Sequence, residues 1–391
     1  MAPWQHVDAP TLTAIRARTG EILRHAPAAE MGHDLDWLLG LARAPSKSVA
    51  VFALWRDDTV AGYAPFLIHP ATLDYALGGK KLLQREIARY ALVGEPVLDR
   101  ALGAASEAVV IDLFRALRPQ LKRNNVVFLG AVDADSALSR LLRYRSPLHR
   151  DYHVLPYGPA YQRCRIRFEG SDYEAYLQSL RKTTRRDLKR SCRKFLAKAG
   201  ERFTIRRFET PDEAELFLQH ATEISQKTYQ WHLLGLGMRD QEDRALTFGN
   251  AAGKGWFRSY VLYADDTPIA FQAGYLHHRT YYAHNTGYDP AWAEAHAGRF
   301  LLAELIRDLL ADEEPVEVFD FLWGDGLLKS RLANSQQTER HFYLFPKGFH
   351  GALLYYPLRG VTLMSSAASA VLQRLHLKTY VRRLIRRRSV K

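Results

Sequence analysis

The segment that most constrains this chain runs from Tyr281 to Leu310. Tyr281–Tyr288 reads as a strand, Asp289-Pro290 as a turn, Ala295-His296-Ala297-Gly298-Arg299 as a short loop, and Phe300–Leu310 as a helix. A loop that delivers a strand into a helix leaves the first N–H groups of that helix without partners, at the positive end of its dipole. Such a place can hold a phosphate, and Gly298 lets the backbone approach it closely. A tight turn between packed elements would ask for the same glycine, so the loop alone leaves both readings open. A second strand, Val316–Leu322, follows and ends at Gly324-Asp325-Gly326, with Lys329 and Arg331 just beyond.

Charge supplies the next constraint. The net charge is +13, but it is concentrated. Arg181–Arg207 holds twelve Lys/Arg against Asp187 and Glu201, a net of +10, and Arg374–Lys391 holds eight Lys/Arg and no acid, which leaves the rest of the chain at −5. In the first stretch Leu177, Leu180, Thr184, Leu188, Cys192, Phe195 and Ala199 recur at helical spacing, while Arg181, Lys182, Arg185, Arg186, Lys189, Arg190, Arg193 and Lys194 crowd the remaining arc. That arc is either a solvated face or a surface for an anionic ligand: a nucleotide's phosphates, an acidic polysaccharide or a tRNA. The second stretch puts Lys378, Arg382, Arg383, Arg386, Arg387 and Arg388 at the end of an intermittently apolar helix. It suits either the negative end of a helix dipole or anionic lipid headgroups.

At 391 residues, 47% hydrophobic and 25% charged, the chain has room for two globular domains. Its two cysteines, Cys164 and Cys192, form no metal-binding spacing and no disulfide framework, so a reducing compartment and no metal are expected. Neither a secretory leader nor an apolar run of about 18 residues is found, and a cytoplasmic location is expected.

Organisation repeats along the chain. Helix-like Thr11–His25 precedes strands Val49–Arg56 and Val60–Ile68 turned at Asp57-Asp58-Thr59, then a helix over Ala104–Lys122 and a strand over Val126–Val132. Later come a helix over Tyr173–Ala199, a strand over Phe203–Phe208, helices over Pro211–Tyr229 and Gln241–Gly253, and strands Trp256–Ala264 and Pro268–Leu276 turned at Asp265-Asp266-Thr267. The expected fold is α/β of the mixed α+β kind, in two similar halves, each a mixed twisted sheet flanked by helices. The domains are expected at 1–160, 161–358 and, as a basic terminal helix, 359–391.

Three motifs carry a resemblance. Gly287-Tyr288-Asp289-Pro290 with Ala297-Gly298-Arg299-Phe300-Leu301-Leu302, Phe319-Asp320-Phe321 with Gly324-Asp325 and Lys329, and the entry helix Tyr176–Arg190 resemble GNAT-superfamily acetyltransferases of the CelD/BcsL-like type. These are similar in fold to Fem-type peptidyltransferases. The resemblance covers roughly residues 170 to 345, and the loop departs from it: Ala297-Gly298 stands where members often carry Pro-Gly. It implies tandem GNAT-like domains, the first degenerate, with acyl-CoA (acetyl-CoA) as co-substrate at Ala297, Gly298, Arg299 and Phe300. Leu92-Val93-Gly94-Glu95-Pro96 offers no helix-opening loop in the first half, so no cofactor site is expected there.

Acyl transfer from a thioester needs a base for the nucleophile, an N–H donor for the oxyanion and a proton for the thiolate. A strand with an open edge meets the second need by pairing with pantetheine amides, and Tyr281–Tyr288 is the candidate. On it His284 is the base by residue type, or else a packed histidine, and Tyr288 is a candidate acid. Asp320, the family's recurring aspartate, is the rival base or acceptor-orienting group, or else a backbone cap. Lys329 is read as anion binding, or as a partner of Asp320. Arg185, Arg186 and Lys189 are substrate-facing candidates on the basic helix, and Glu223, Lys227, Tyr229, Gln230 and Trp231 resemble the family's acceptor segment. Gly235 and Gly237 after Trp231 would permit a lid or simply a connecting loop.

The expected function is an acyl-CoA-dependent N-acyltransferase (acetyltransferase) acting on an amino sugar or related bacterial cell-envelope or polysaccharide precursor. The alternatives are a Fem-type aminoacyl-tRNA-dependent transferase, in which the Arg181–Arg207 surface would hold the RNA, and a non-catalytic scaffold docked to a membrane by its basic tail.

Overall fold

Two-residue turns that need positive φ at both positions prefer Asp, Asn and Gly, and this chain uses Asp twice in each of two hairpins. Asp57 and Asp58 have φ of 48° and 60°, Asp265 and Asp266 φ of 47° and 61°. These two type I′ turns anchor a computed structural model that describes residues 4–26, 29–77, 80–102, 106–143, 146–228, 231, 237–238, 242–324 and 326–374. Two compact units result, one of residues 1–160 with 340–391, the other of residues 161–339.

The first unit begins with β1 (Trp4–His6) and α1 (Ala9–His25), the latter capped by the Asp8 side chain accepting from the Thr11 N–H at 3.0 Å. Then come α2 (Leu35–Leu41), β2 (Ser48–Arg56), β3 (Thr59–Leu77), β4 (Lys80–Val93), β5 (Val97–Leu98), α3 (Glu107–Leu117), β6 (Asn125–Asp133), α4 (Ala137–Arg143), α5 (Leu148–Asp151) and β7 (Tyr152–Arg167). The strands follow the order β1-β2-β3-β4-β6, antiparallel except for the parallel β4–β6 pair. Phe52, Phe66, Phe114 and Leu129 are fully buried in its core.

The second unit contains α6 (Tyr173–Ser179), α7 (Lys182–Ala199), β8 (Phe203–Phe208), α8 (Pro211–Gln226), α9 (Glu242–Ala252), β9 (Ser259–Ala264), β10 (Thr267–His277), β11 (Thr280–Tyr288), α10 (Ala297–Ala311), β12 (Val318–Asp320) and α11 (Leu327–Leu332). Its strand order is β7-β12-β11-β10-β9-β8, antiparallel except for β12–β11. Helices cover both faces. On one, Phe195 of α7 stacks on Phe300 of α10 with ring centroids 4.1 Å apart, above Tyr260, Tyr281 and Phe319. On the other, Phe217 of α8 and Phe248 of α9 pack against Phe257, and Phe217 also meets Phe271 of β10.

The chain then enters β13 (Ser335–Pro346) and finishes in α12 (Phe349–Arg374). Where the sequence reading assigned residues 340–358 to the second half, they belong to the first unit. Phe342 and Leu344 enter the core with Phe114, and Tyr343, Phe345, Leu354, Tyr355 and Leu358 enter a cluster with Leu73, Tyr75 and Ile87. The helix expected over 359–391 is therefore the continuation of α12 as far as Arg374, and Leu375–Lys391 lie outside the described residues.

A second difference concerns the basic helix. Instead of one helix over Tyr173–Ala199, α6 ends at Ser179 and α7 starts at Lys182. Ser179 Oγ donates to the Tyr176 carbonyl at 2.7 Å, and Leu180 turns extended (φ −70°, ψ 148°) and is buried. Side-chain competition for a last-turn carbonyl is a known way to end a helix. The apolar stripe survives the break, since Leu177, Leu180, Leu188, Phe195 and Ala199 are all buried.

Candidate functional site

The site is set by where β12 stops. β11 pairs with β12 only at Thr280↔Val318, Tyr281↔Phe319 and Tyr282↔Asp320, although β11 continues to Tyr288. Beyond Tyr282 the edge of β11 on that side has no strand partner among the described residues. The free N–H and C=O groups of such an edge can pair with an extended ligand.

Asp320 makes β12 stop. Its Oδ1 accepts the Leu322 N–H at 2.7 Å, and Leu322 adopts φ of 54°, a conformation a leucine holds only when its surroundings enforce it. Lys329 pins the continuing chain by donating to the carbonyls of Phe321 (2.9 Å) and Trp323 (3.3 Å). Both residues thus keep the loop after β12 turned away from β11. The Asp320 carboxylate is almost wholly buried and carries two guanidiniums from β7. Arg163 Nε lies 2.9 Å and Arg165 Nε 2.7 Å from Oδ2. Arg163 in turn reaches Glu339 at 3.3 Å, which also accepts from Tyr161 Oη at 3.0 Å. Burial works to raise the Asp320 pKa, but the charges and hydrogen bonds of Arg163 and Arg165 outweigh it and hold the carboxyl below its ordinary value. A carboxylate so held is a poor proton acceptor. The motif that singled out Asp320 marks a residue that shapes the site.

The gap beside β11 is a cavity of about 340 Å³. Its strand wall is Ala283, His284, Thr286 and Tyr288, its helix wall Ala297, Gly298, Arg299, Leu301 and Leu302, and Phe321, Leu328 and Lys329 close it. Consecutive strand residues normally face opposite sides, yet Ala283 and His284 both line it. A β-bulge explains this: Gly274 pairs with Ala283 and Ala273 with Asn285, so His284 is the extra, unpaired residue.

His284 is an exposed residue that lines the cavity, its ring edge-on to Tyr275 at 5.8 Å. Desolvation, and secondarily the charge of Arg244, push its pKa down to about 4. The imidazole is neutral at pH 7 and can accept a hydrogen bond. Taking a full proton from an amine of pKa about 8 would cost it about 5 kcal/mol, so it acts most readily by orienting a nucleophile's N–H rather than by ionising it beforehand.

At the other wall α10 begins. His296 is its N-cap in the left-handed conformation (φ 61°, ψ 36°), and its carbonyl accepts from the N–H groups of Arg299 (2.9 Å) and Phe300 (3.0 Å). By position, Ala297 and Gly298 have no intrahelical acceptor. A Cβ at Gly298 would lie 3.3 Å from Cδ1 of Tyr288, tighter than ordinary contact. The loop is thus an N–H cradle beside a space that a side chain would narrow. Phe300 differs from its expected role: its ring is 3% exposed and stacked in the core, and its N–H is spent on His296. The resemblance grouped Phe300 with the glycine loop, whereas its side chain packs into the core and does not line the cavity.

Around this mouth the field is positive. His296 titrates below its ordinary value through desolvation and then the charges of Arg299, Lys194 and Arg190. Arg190, Lys194 and Lys198 stand at i, i+4 and i+8 on α7, and Lys198 fixes that ridge against the site loop by donating to the Ala291 carbonyl at 2.6 Å, with its ammonium 4.3 Å from the Trp292 ring centroid. The basic helix that the sequence singled out therefore borders the site loop along this ridge, without lining the cavity itself. Arg185, bonded to Gln178, and Lys189, 3.9 Å from Glu174, do not line the cavity, nor do Arg186 and Trp231. Lys227 reaches Asp289 at 3.4 Å. Tyr229, Gln230, Gly235 and Asp325, singled out in the sequence, lie outside the described residues. Arg163, Arg165 and Glu339 were missed by sequence reasoning, because nothing local tells a buried arginine from a solvated one.

A strand with an open edge, a bulge, and a helix N-terminus facing it across a cavity make up a fold similar to that of GNAT acetyltransferase domains and of FemX. Residues 182–330 match the family model described as the acetyltransferase (GNAT) domain. The crystal structure of FemX superposes with a TM-score of 0.56 at 10% identity, covering 87% of this chain and 96% of that one. A tandem GNAT protein from the clavulanic acid biosynthesis pathway (0.49, 11% identity, 89% and 99% covered) has a lower score. So does the C-terminal domain of a putative lysylphosphatidylglycerol synthetase from Agrobacterium fabrum (0.48, 11%, 91% and 96%). No curated protein sequence matches the chain. The mixed α/β class and GNAT-like architecture expected from the sequence are those of the structure.

Proposed function

We propose that the second unit transfers an acyl group from acyl-CoA to an amine. The observation that carries this is the cavity between the unpaired edge of β11 and the N-terminus of α10. A pantetheine arm is an extended chain with two amides, which suits an open strand edge, and its pyrophosphate suits the N–H groups of Ala297 and Gly298. The thioester carbonyl would lie near the His284 bulge, where a β11 N–H serves as oxyanion donor and neutral His284 orients the attacking amine. Tyr288, at the cavity wall, is the proposed acid for the leaving thiolate. Lys329 acts by fixing the loop rather than by touching phosphate. The acceptor, an amino sugar or related cell-envelope precursor, rests on the family resemblance.

The exposed basic face of α7 supports a second reading, an aminoacyl-tRNA donor. Thermal stabilisation by acetyl-CoA and longer acyl-CoAs tests the first: ligand at 100 times its Kd adds about 2.7 kcal/mol. No stabilisation, with nuclease-sensitive RNA in the purified protein and a steep salt dependence, would replace it by the second.

A further inference from the structure

The helix α12 of the first unit has two apolar faces, and the described residues cover only one. Leu354, Tyr355 and Leu358, each 6% exposed, pack with Leu73, Tyr75, Ile87 and Phe345. On the other side Phe349 is 79% exposed, Leu353 and Tyr356 57%, Leu363 and Met364 59%. At 100° per residue these five fall within an arc of about 100°, along about 22 Å of helix. Scattered exposed apolar residues need no explanation, but a continuous stripe does.

The neighbouring hairpin exposes apolar residues as well. The tip of the β3–β4 hairpin adjoins α12, since Tyr75 Oη donates to the Leu354 carbonyl at 3.1 Å and Ser365 Oγ to the Ala76 carbonyl at 3.2 Å. Leu82 and Leu83 at this tip are 58% and 45% exposed, Leu83 directly opposite Tyr75. Charge is equally one-sided. The helix contains no Asp or Glu, its exposed face carries Arg359, and from Arg374 to Lys391 the sequence has eight Lys/Arg and no acid.

We propose that this face docks the first unit on an anionic lipid bilayer. The helix lies in the plane of the interface, Phe349, Leu353, Tyr356, Leu363 and Met364 enter the boundary between headgroups and acyl chains, and the positive charge of the C-terminal sequence favours anionic headgroups. The helix does not span: among the described residues no helix is long and apolar enough to cross a membrane. A second copy of the chain is the poorer occupant, because it carries the same +8 C-terminal sequence, and like charges repel. A bilayer offers an apolar layer and negative charge side by side. The proposal holds whichever donor the cavity takes.

The test uses the full chain and vesicles of phosphatidylcholine, with and without phosphatidylglycerol. Sedimentation should show partitioning at least about tenfold stronger on the anionic vesicles, falling as salt rises from about 0.1 M to about 1 M and the Debye length shrinks from about 10 Å to about 3 Å. Because Leu353 and Leu363 are more than half exposed, the double variant Leu353→Glu/Leu363→Glu should keep its Tm and lose about tenfold in partitioning. Exchange of Arg382, Arg383, Arg386, Arg387 and Arg388 for Gln should remove the preference for phosphatidylglycerol. Absence of lipid-dependent sedimentation, or unchanged partitioning of the Glu variant, overturns the proposal. So does a lipid-free dimer, seen by sedimentation equilibrium, that the Glu variant dissociates.

Discussion

Gly298→Ala separates the cradle from the fold. Gly298 is the second residue of α10, and its φ lies outside the left-handed region, so alanine can adopt the same backbone. In a helix this exchange is favourable by up to about 1 kcal/mol, less near an end. The added methyl meets only Tyr288, at 3.3 Å from Cδ1, and that ring is 46% exposed and can give way by a few tenths of an ångström. Stability should therefore be unchanged or slightly higher. Binding should move the other way. The methyl narrows the cavity beside the N–H groups of Ala297 and Gly298, and a pyrophosphate displaced by about 1 Å no longer meets them within hydrogen-bond range. Each hydrogen bond to a charged group contributes about 1.5–3 kcal/mol, so loss of even one weakens binding by at least about tenfold. At a concentration 100 times the wild-type Kd, stabilisation by acetyl-CoA should fall from about 2.7 to about 1.4 kcal/mol or less. Thermal denaturation with and without ligand, beside calorimetric titration, reads both quantities. A variant as stable as wild type that binds acetyl-CoA equally well would refute the cradle.

Three further outcomes follow from the site. His284, pushed down to about 4 by burial and Arg244, takes up fewer protons than the unfolded chain between pH 6.5 and 4, so wild type should lose stability relative to His284→Gln as pH falls through that window; if neutral His284 is what catalysis needs, the acid limb of kcat/KM should lie near pH 4, and a limb at 6.5 would refute this environment. Asp320→Asn should cost about 3–5 kcal/mol in urea denaturation, since it strips Arg163 and Arg165 of a buried partner; the folded pKa being depressed, that stabilisation is present above the ordinary carboxylate range and lost as pH falls below it. Phe300→Ala should cost about 3–5 kcal/mol through the cavity left beside Phe195, while Phe300→Leu should fold and bind acetyl-CoA with near wild-type affinity, as suits a core residue rather than a ligand contact.

Local chemistry made a good part of this protein legible from its sequence. The Asp-Asp turns, the stripe from Leu177 to Ala199 and the strand-loop-helix around Gly298 each depend on residues a few positions apart, and each is present in the structure. The strands β4, β7 and β13 were not read. Lys80–Val93 mixes charged and apolar residues without alternation, and only its pairing with β3 and β6 makes it a strand. The functional geometry lay further still from local signals. That β11 has an open edge depends on where β12 stops, and β12 stops through a carboxylate whose charge is balanced by arginines 155 and 157 positions earlier in the chain. That His284 faces the cavity depends on a bulge in its register with β10, and that it stays neutral depends on burial and on Arg244. Turns and helix faces follow from short-range sterics and periodicity. Strand edges, protonation states and the partners of buried charges are set by long-range contacts, which exist only once the chain has folded.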